Sequence, residues 1–192
     1  MARATIDRET LRTAVDSALW AWAAVEIALR LLNRNAERGA DWTFAVVVGA
    51  VVAGVDLGFR AAHVSAYSIG DPRIAGAVGL GLVLGGAGLR VWSILTLGRL
   101  FTFVVSIQGD HELVDHGPYR VLRHPSYTGG LVGLLGVGVA RDNWLSVGAL
   151  LLVPLAGVLI RIPFEEAALR AGLGASYDEY VRRTRRLVPR VW

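Results

Sequence analysis

The sequence predicts an all-α integral membrane protein, and three observations carry that prediction. Hydrophobic residues make up 54% of the 192-residue chain, with a mean hydropathy of +0.47. Charged residues make up only 19%, against about 25% in an ordinary soluble domain. These charges are also unevenly spread: they collect between long apolar runs, several of which approach the roughly 20 residues a spanning helix needs.

About five transmembrane helices are expected. The first runs from Leu11 to Leu32 and is the least apolar, with Asp16, Glu26 and Arg30 inside it. Glu26 and Arg30 are spaced to pair on one helix face. The second, Trp42 to Arg60, is interrupted only by Asp56, whose role the sequence does not explain. The third runs from Ile74 to Leu97 and carries Arg90 late in the span. The fourth, Ser126 to Ala140, is short for a full crossing. The fifth runs from Asn143 to Ile160, and the three residues between them predict a tight antiparallel hairpin. Three glycine pairs have GxxxG spacing: Gly54 and Gly58, Gly81 and Gly85, Gly129 and Gly133. Small residues of this kind let helix backbones approach closely in lipid.

All 20 basic residues are arginine, and there is no cysteine, which excludes disulfides, thiolate metal sites and a cysteine nucleophile. The pI of 10.1 fits arginines flanking spans and touching lipid phosphates rather than nucleic acid. Most arginines fall after the first and third spans and in the tail, so the positive-inside rule places the C-terminus in the cytoplasm. Membrane lipids are therefore expected partners. Monomer and homodimer both stay open. The polar start of the chain shows no cleavable signal pattern.

The costly polar residues lie in two places. One is Gly98 to Tyr127, which holds His111, His116 and His124. Gly117-Pro118 marks a turn, and Pro125 suits the first turn of the fourth helix. That puts Arg123 and His124 just before a helix N-terminus, where an anion is favoured. The other place follows the fifth span. Arg161 and Glu165 share a helix face if the helix continues through Pro163. Glu166, Arg170, Asp178, Glu179 and the arginine run at 182–186 then give an amphipathic C-terminal helix. The histidine spacing matches no recognised zinc pattern, so no metal is expected. Ser126 lacks a nucleophile-elbow context.

The segments LGRLFT, HELV, GPYRVLRHPSYTG, RIPFEE and SYDEYVRRTRRLVP resemble the isoprenylcysteine carboxyl methyltransferase family, which is itself similar to the phospholipid N-methyltransferases. The likeness runs from Gly98 to Pro189. It implies an S-adenosylmethionine-dependent methyltransferase, with S-adenosylhomocysteine as product and a cytoplasmic-side cofactor pocket. It implies cofactor contacts at His111, Leu113, Val114, Tyr119, His124, Pro125, Ser126, Tyr127 and Glu165. Arg161 and Glu165 are the implied catalytic pair, with Arg161 toward the acceptor, and Gln108 is a looser cofactor candidate. Residues 1–97 read as a three-span scaffold and 98–192 as the catalytic half. The acceptor is expected to be a lipophilic or prenyl-type molecule, most readily a carboxylate, which needs no general base. An amine or thiol acceptor, or a non-enzymatic helical membrane protein using Asp56, Glu26 and Arg30, are the rival readings.

Overall fold

Two seams lined by small residues bring the helices together. The computed structural model describes residues 7–32, 42–100 and 113–192. These form α1 (Arg8–Leu32), α2 (Trp42–Ala61), α3 (Pro72–Leu97), α4 (Pro125–Ala140), α5 (Trp144–Leu173) and α6 (Ala175–Arg183). Short 3-10 turns occupy Ser65–Tyr67, Gly98–Leu100 and Gly117–Arg120. Helices stand at all five expected spans, and α5 runs on through Pro163 to Leu173.

Three of the helices, α2, α3 and α5, are long and apolar enough to cross a membrane. α4 has 16 residues, about 24 Å of helix against roughly 30 Å of hydrocarbon. α1 is long enough at 25 residues, but Asp16, Glu26 and Arg30 leave it too charged to rank with the other three. Val48, Val52 and Leu57 on α2, Ile74, Leu84 and Leu95 on α3, and Leu152 and Leu159 on α5 are exposed. An apolar surface of this extent suits contact with lipid and is rare on a protein facing water.

Lipid gives apolar side chains little reason to associate, so close backbone packing holds such helices together. Along the α3–α4 seam, a Cβ added at Gly79 would stand 2.6 Å from the Gly136 carbonyl, and one at Gly129 would stand 2.6 Å from the Gly86 carbonyl. Along the α2–α5 seam, Gly54 faces Pro154, Gly58 faces Leu150, and Gly157 faces Ala50. Gly54/Gly58 and Gly129/Gly133 therefore pack as their spacing suggests. Gly81 and Gly85 do not, since a Cβ at either meets nothing within 4 Å. They lie on the outward face of α3. The inward face carries Gly79 and Gly86, two turns apart, with the fully buried Val83 between them. Val15, Val83, Leu134, Val137, Ala140 and Leu150 form the core beside these seams.

At one end of the bundle, the turn from α4 to α5 is tied down on several sides. Arg141 pairs with Asp16 of α1, and Arg12 donates to the Arg141 carbonyl at 3.2 Å. The Arg141 guanidinium also lies 4.0 Å from the Phe59 ring centroid. Asp142, buried and at φ +54°, accepts from Ser68 Oγ at 2.9 Å and from the Ile69 and Gly70 amides at 3.1 Å. Asn143 caps α5 by accepting from the amides of Leu145 and Ser146. Asp56 is explained here as well: it forms an exposed ion pair with Arg60 one turn along α2, at 2.8 Å. The expected Glu26–Arg30 pair concerns side chains outside the described set.

The α3–α4 seam predicts a contrast. Gly79→Ala should destabilise the protein by about 1–3 kcal/mol through overpacking against backbone, and Gly81→Ala should leave it unchanged. Thermal unfolding of both variants in detergent checks this.

Candidate active site

The opposite end of the bundle holds the polar cluster, and the C-terminal segment is what closes it. Leu122 and Arg185 form a parallel bridge. The Arg123 amide donates to the Arg185 carbonyl at 2.7 Å, and the His124 amide to the Arg186 carbonyl at 3.1 Å. Thr128 Oγ1 donates to the Leu187 carbonyl at 2.8 Å. α6 braces the same strip: Tyr180, buried beside Tyr177, donates its hydroxyl to the Tyr119 carbonyl at 2.8 Å. α6 can double back from α5 because Gly174 between them adopts φ +57°, a left-handed conformation that suits glycine.

Glu166 is the hub of the cluster. Its side chain is 5% exposed and meets cations from two other segments. Arg123 Nε donates to Oε1 at 2.8 Å, and Arg186 Nη2 donates to Oε2 at 2.8 Å. His124 Nε2 lies 3.3 Å from Oε1. Arg123 Nη1 then continues to the Thr184 carbonyl at 2.8 Å. A buried carboxylate is costly unless it is paired and hydrogen-bonded, and this one is saturated. Its function is to join the start of α4, the end of α5 and the C-terminal strip.

Glu165 is placed differently. Its side chain is 26% exposed. Oε2 accepts from Tyr127 Oη at 2.7 Å. Oε1 stands 3.7 Å from His124 Nδ1, beyond hydrogen-bond reach. Tyr127 Oη in turn accepts from Arg161 Nε at 2.6 Å, and Arg161 Nε lies 3.6 Å from Glu165 Oε2. The His124 and Tyr127 rings stack at 5.6 Å. Burial alone would lower the pKa of His124. The hydrogen bond to Glu166 and the negative charge of both neighbouring carboxylates, Glu165 and Glu166, outweigh it and push the pKa above its ordinary value.

Of the residues the sequence singled out, His124, Pro125, Ser126, Tyr127, Arg161 and Glu165 come together here. Tyr119 is buried in the turn just before α4. Leu113 and Val114 are half-buried in the stretch leading to that turn. His111 and Gln108 lie outside the described residues. Three participants were not expected. Glu166 was assigned to the amphipathic tail. Arg90 of α3 donates to Ser126 Oγ at 2.8 Å and to the Ser126 carbonyl at 3.2 Å. Thr43 of α2 accepts from Arg161 Nη1 at 3.1 Å. The cost of placing Arg90 within an apolar span was the one available signal for its role; Thr43 gave none.

A family model described as phospholipid methyltransferase matches residues 74–176. The chain belongs to this family. Its relatives include a probable protein-S-isoprenylcysteine O-methyltransferase of Oryza sativa subsp. indica, 40% identical over 58% of this chain and 60% of the relative. Protein-S-isoprenylcysteine O-methyltransferase B of Arabidopsis thaliana is 38% identical over 58% of this chain and 57% of its own length. Among solved structures, a eukaryotic intramembrane Ras methyltransferase, isoprenylcysteine carboxyl methyltransferase, aligns with TM-score 0.60 and 28% identity. That alignment covers 75% of this chain and 52% of the other. The chain thus spans roughly three-fifths or less of the length of these relatives. The matched region begins within α3, so it takes in Arg90, the start of α4 and Arg161 to Glu166, and it ends before α6 is complete and before the C-terminal strip.

Two predictions follow from the unequal glutamates and the histidine between them. Glu166→Gln should cost about 3–5 kcal/mol, because it strands the nearly buried Arg123, and Glu165→Gln should cost far less; thermal unfolding separates the two. His124 has a raised folded-state pKa, so the stability from its charged form is complete below its ordinary value of 6.5 and is lost as pH rises through the folded value. Melting temperature should therefore fall across that interval, and His124→Gln should flatten the profile.

Proposed function

We propose that this protein is a membrane-embedded, multi-pass S-adenosylmethionine-dependent methyltransferase that methylates a lipophilic carboxylate of the isoprenylcysteine type, with its C-terminus and reaction site on the cytoplasmic side. The observation that carries this reading is the chain of contacts Arg161–Tyr127–Glu165 beside His124 at the N-terminus of α4, within the family-matched region.

The residues present suit the donor. Glu165 is the less committed of the two carboxylates: Oε1 has room to accept from an ammonium or a ribose hydroxyl. Arg123, Arg161 and Arg186 stand beside the two glutamates, and guanidinium groups are suited to a donor carboxylate. The start of α4 adds the positive end of a helix. The bound donor supplies an electrophilic methyl group on a sulfonium.

The protein's own work is then alignment and exclusion of water. Tyr127, gripped between Arg161 and Glu165, fixes the distance between the donor side and the acceptor side. Arg161, on a helix whose outer face meets lipid, orients an acceptor carboxylate arriving from the membrane. A carboxylate acceptor is already deprotonated, so no general base is required. Holding two reactants in line is itself a large part of such a rate enhancement. The family description by itself points to a phospholipid amine as the second acceptor class. In the division of labour proposed here, residues 98–192 carry most of the site and residues 1–97 frame it.

Calorimetry with S-adenosylhomocysteine should give saturable binding, and Glu165→Ala should weaken it at least about tenfold, the loss of a charge-assisted hydrogen bond. Radiolabelled donor should label N-acetyl-S-farnesylcysteine in preference to phosphatidylethanolamine. Arg161→Ala should suppress that labelling by about 100-fold or more while sparing S-adenosylhomocysteine binding. Absence of saturable binding by the wild-type chain sinks the reading.

A further inference from the structure

Arg161 is held by a helix that none of the methyl-transfer motifs include. Its side chain is 4% exposed, at the level where α5 passes the first turns of α2 and α4. Tyr127 of α4 takes the Nε hydrogen at 2.6 Å, and Thr43 of α2, itself 2% exposed, accepts from Nη1 at 3.1 Å. The Phe44 ring lies 5.6 Å from the guanidinium carbon. An arginine side chain has many rotamers, and freezing it is costly. Here the plane of the guanidinium is fixed at two edges by hydroxyls from two different helices. Thr43 belongs to the stretch between the first and second spans' polar connection and the α2–α5 seam, and it sits 118 residues from Arg161 in the chain.

Residues flanking the contact are of a different kind. Trp42, just before Thr43, packs edge-to-face on Phe164, one turn after Arg161, with ring centroids 5.1 Å apart. Both are exposed, at 57% and 50%. Further along, the α2–α5 seam is closed at Gly157, Gly54 and Gly58. This end of the seam is therefore covered on its outside by an exposed aromatic pair and carries the buried Thr43–Arg161 contact on its inside. Trp42 and Phe164 are thus the exposed apolar surface next to the buried guanidinium.

We propose that Thr43 is a positioning residue for the acceptor: its hydroxyl orients the Arg161 guanidinium toward the carboxylate of a lipophilic substrate at the Trp42–Phe164 end of the α2–α5 seam. This rests on the methyltransferase reading above. It assigns α2 a part in acceptor recognition and none in donor binding. Tyr127 links Arg161 to the donor side independently of Thr43, so the two functions separate.

The test uses the full chain in lipid nanodiscs, with radiolabelled S-adenosylmethionine as donor and N-acetyl-S-farnesylcysteine as acceptor, beside calorimetry with S-adenosylhomocysteine. Thr43→Val keeps the shape and removes the acceptor oxygen; Thr43→Ser keeps the oxygen. Thr43→Val should lower kcat/KM for the acceptor by about tenfold, mostly through KM, as expected for loss of one hydrogen bond to a charged group. Its S-adenosylhomocysteine affinity should stay within about twofold of wild type, as should the kcat/KM of Thr43→Ser. Wild-type kinetics in Thr43→Val overturn the proposal. So does Thr43→Ser failing as badly as Thr43→Val, or donor affinity falling in step with acceptor kinetics. A wild-type chain that binds no S-adenosylhomocysteine, or labels no farnesylcysteine, overturns the methyltransferase reading first and this proposal with it.

Discussion

The arrangement around Glu166 is the constraint on which the site depends. An isolated carboxylate at this depth would be severely destabilising. It is tolerated because Arg123, His124 and Arg186 converge on it. Those partners come from the entry to α4 and from the strip after α6. Satisfying one charge therefore fixes three pieces of chain that are far apart in sequence. The backbone bonds between 121–124 and 185–186 follow from that alignment. Only with the strip in place is the start of α4 held where His124 and Tyr127 face Glu165.

Neighbouring residues on α5 thereby take opposite roles. Successive residues on a helix are turned by about 100°. Glu166 faces the C-terminal strip and is saturated, whereas Glu165 faces Tyr127 and keeps an oxygen beyond the reach of His124. The two-residue acidic step supplies one structural and one chemical carboxylate. The same turn of helix brings Arg161 to the Glu165 side, where Tyr127 bridges them.

Much of this was legible in the sequence because it is local. The apolar runs gave the helices, and the three-residue link gave the α4–α5 hairpin. The spacing of Arg161 and Glu165 gave their shared face, and Pro125 gave the start of α4. What was not legible depends on which way a helix is turned in the bundle. Gly81 and Gly85 have the spacing of a packing motif, yet Gly79 and Gly86 occupy the seam. Which glutamate was buried could not be read from adjacent identical residues. Thr43 carries no sequence signal at all, since a threonine early in an apolar helix is ordinary. Its meaning comes from a contact that closes only when α2 meets α5 along their glycines. Asp56 drew attention as an intramembrane charge, but Arg60 one turn away explains it.

The shortness of α4 has a further effect. The side chains of Arg90 of α3 and Arg161 of α5 reach Ser126 and Tyr127 in its first turn. Beyond that turn α3 continues to Leu97 and α5 to Leu173. The first turn of α4 is thus sunken relative to its neighbours, below the rim they form. Ions that would have to climb to the bilayer surface from an ordinary span find their counter-ions here in a recess. A molecule anchored by an apolar tail need not lift its polar head into bulk water to meet them, and a water-soluble molecule need not enter hydrocarbon.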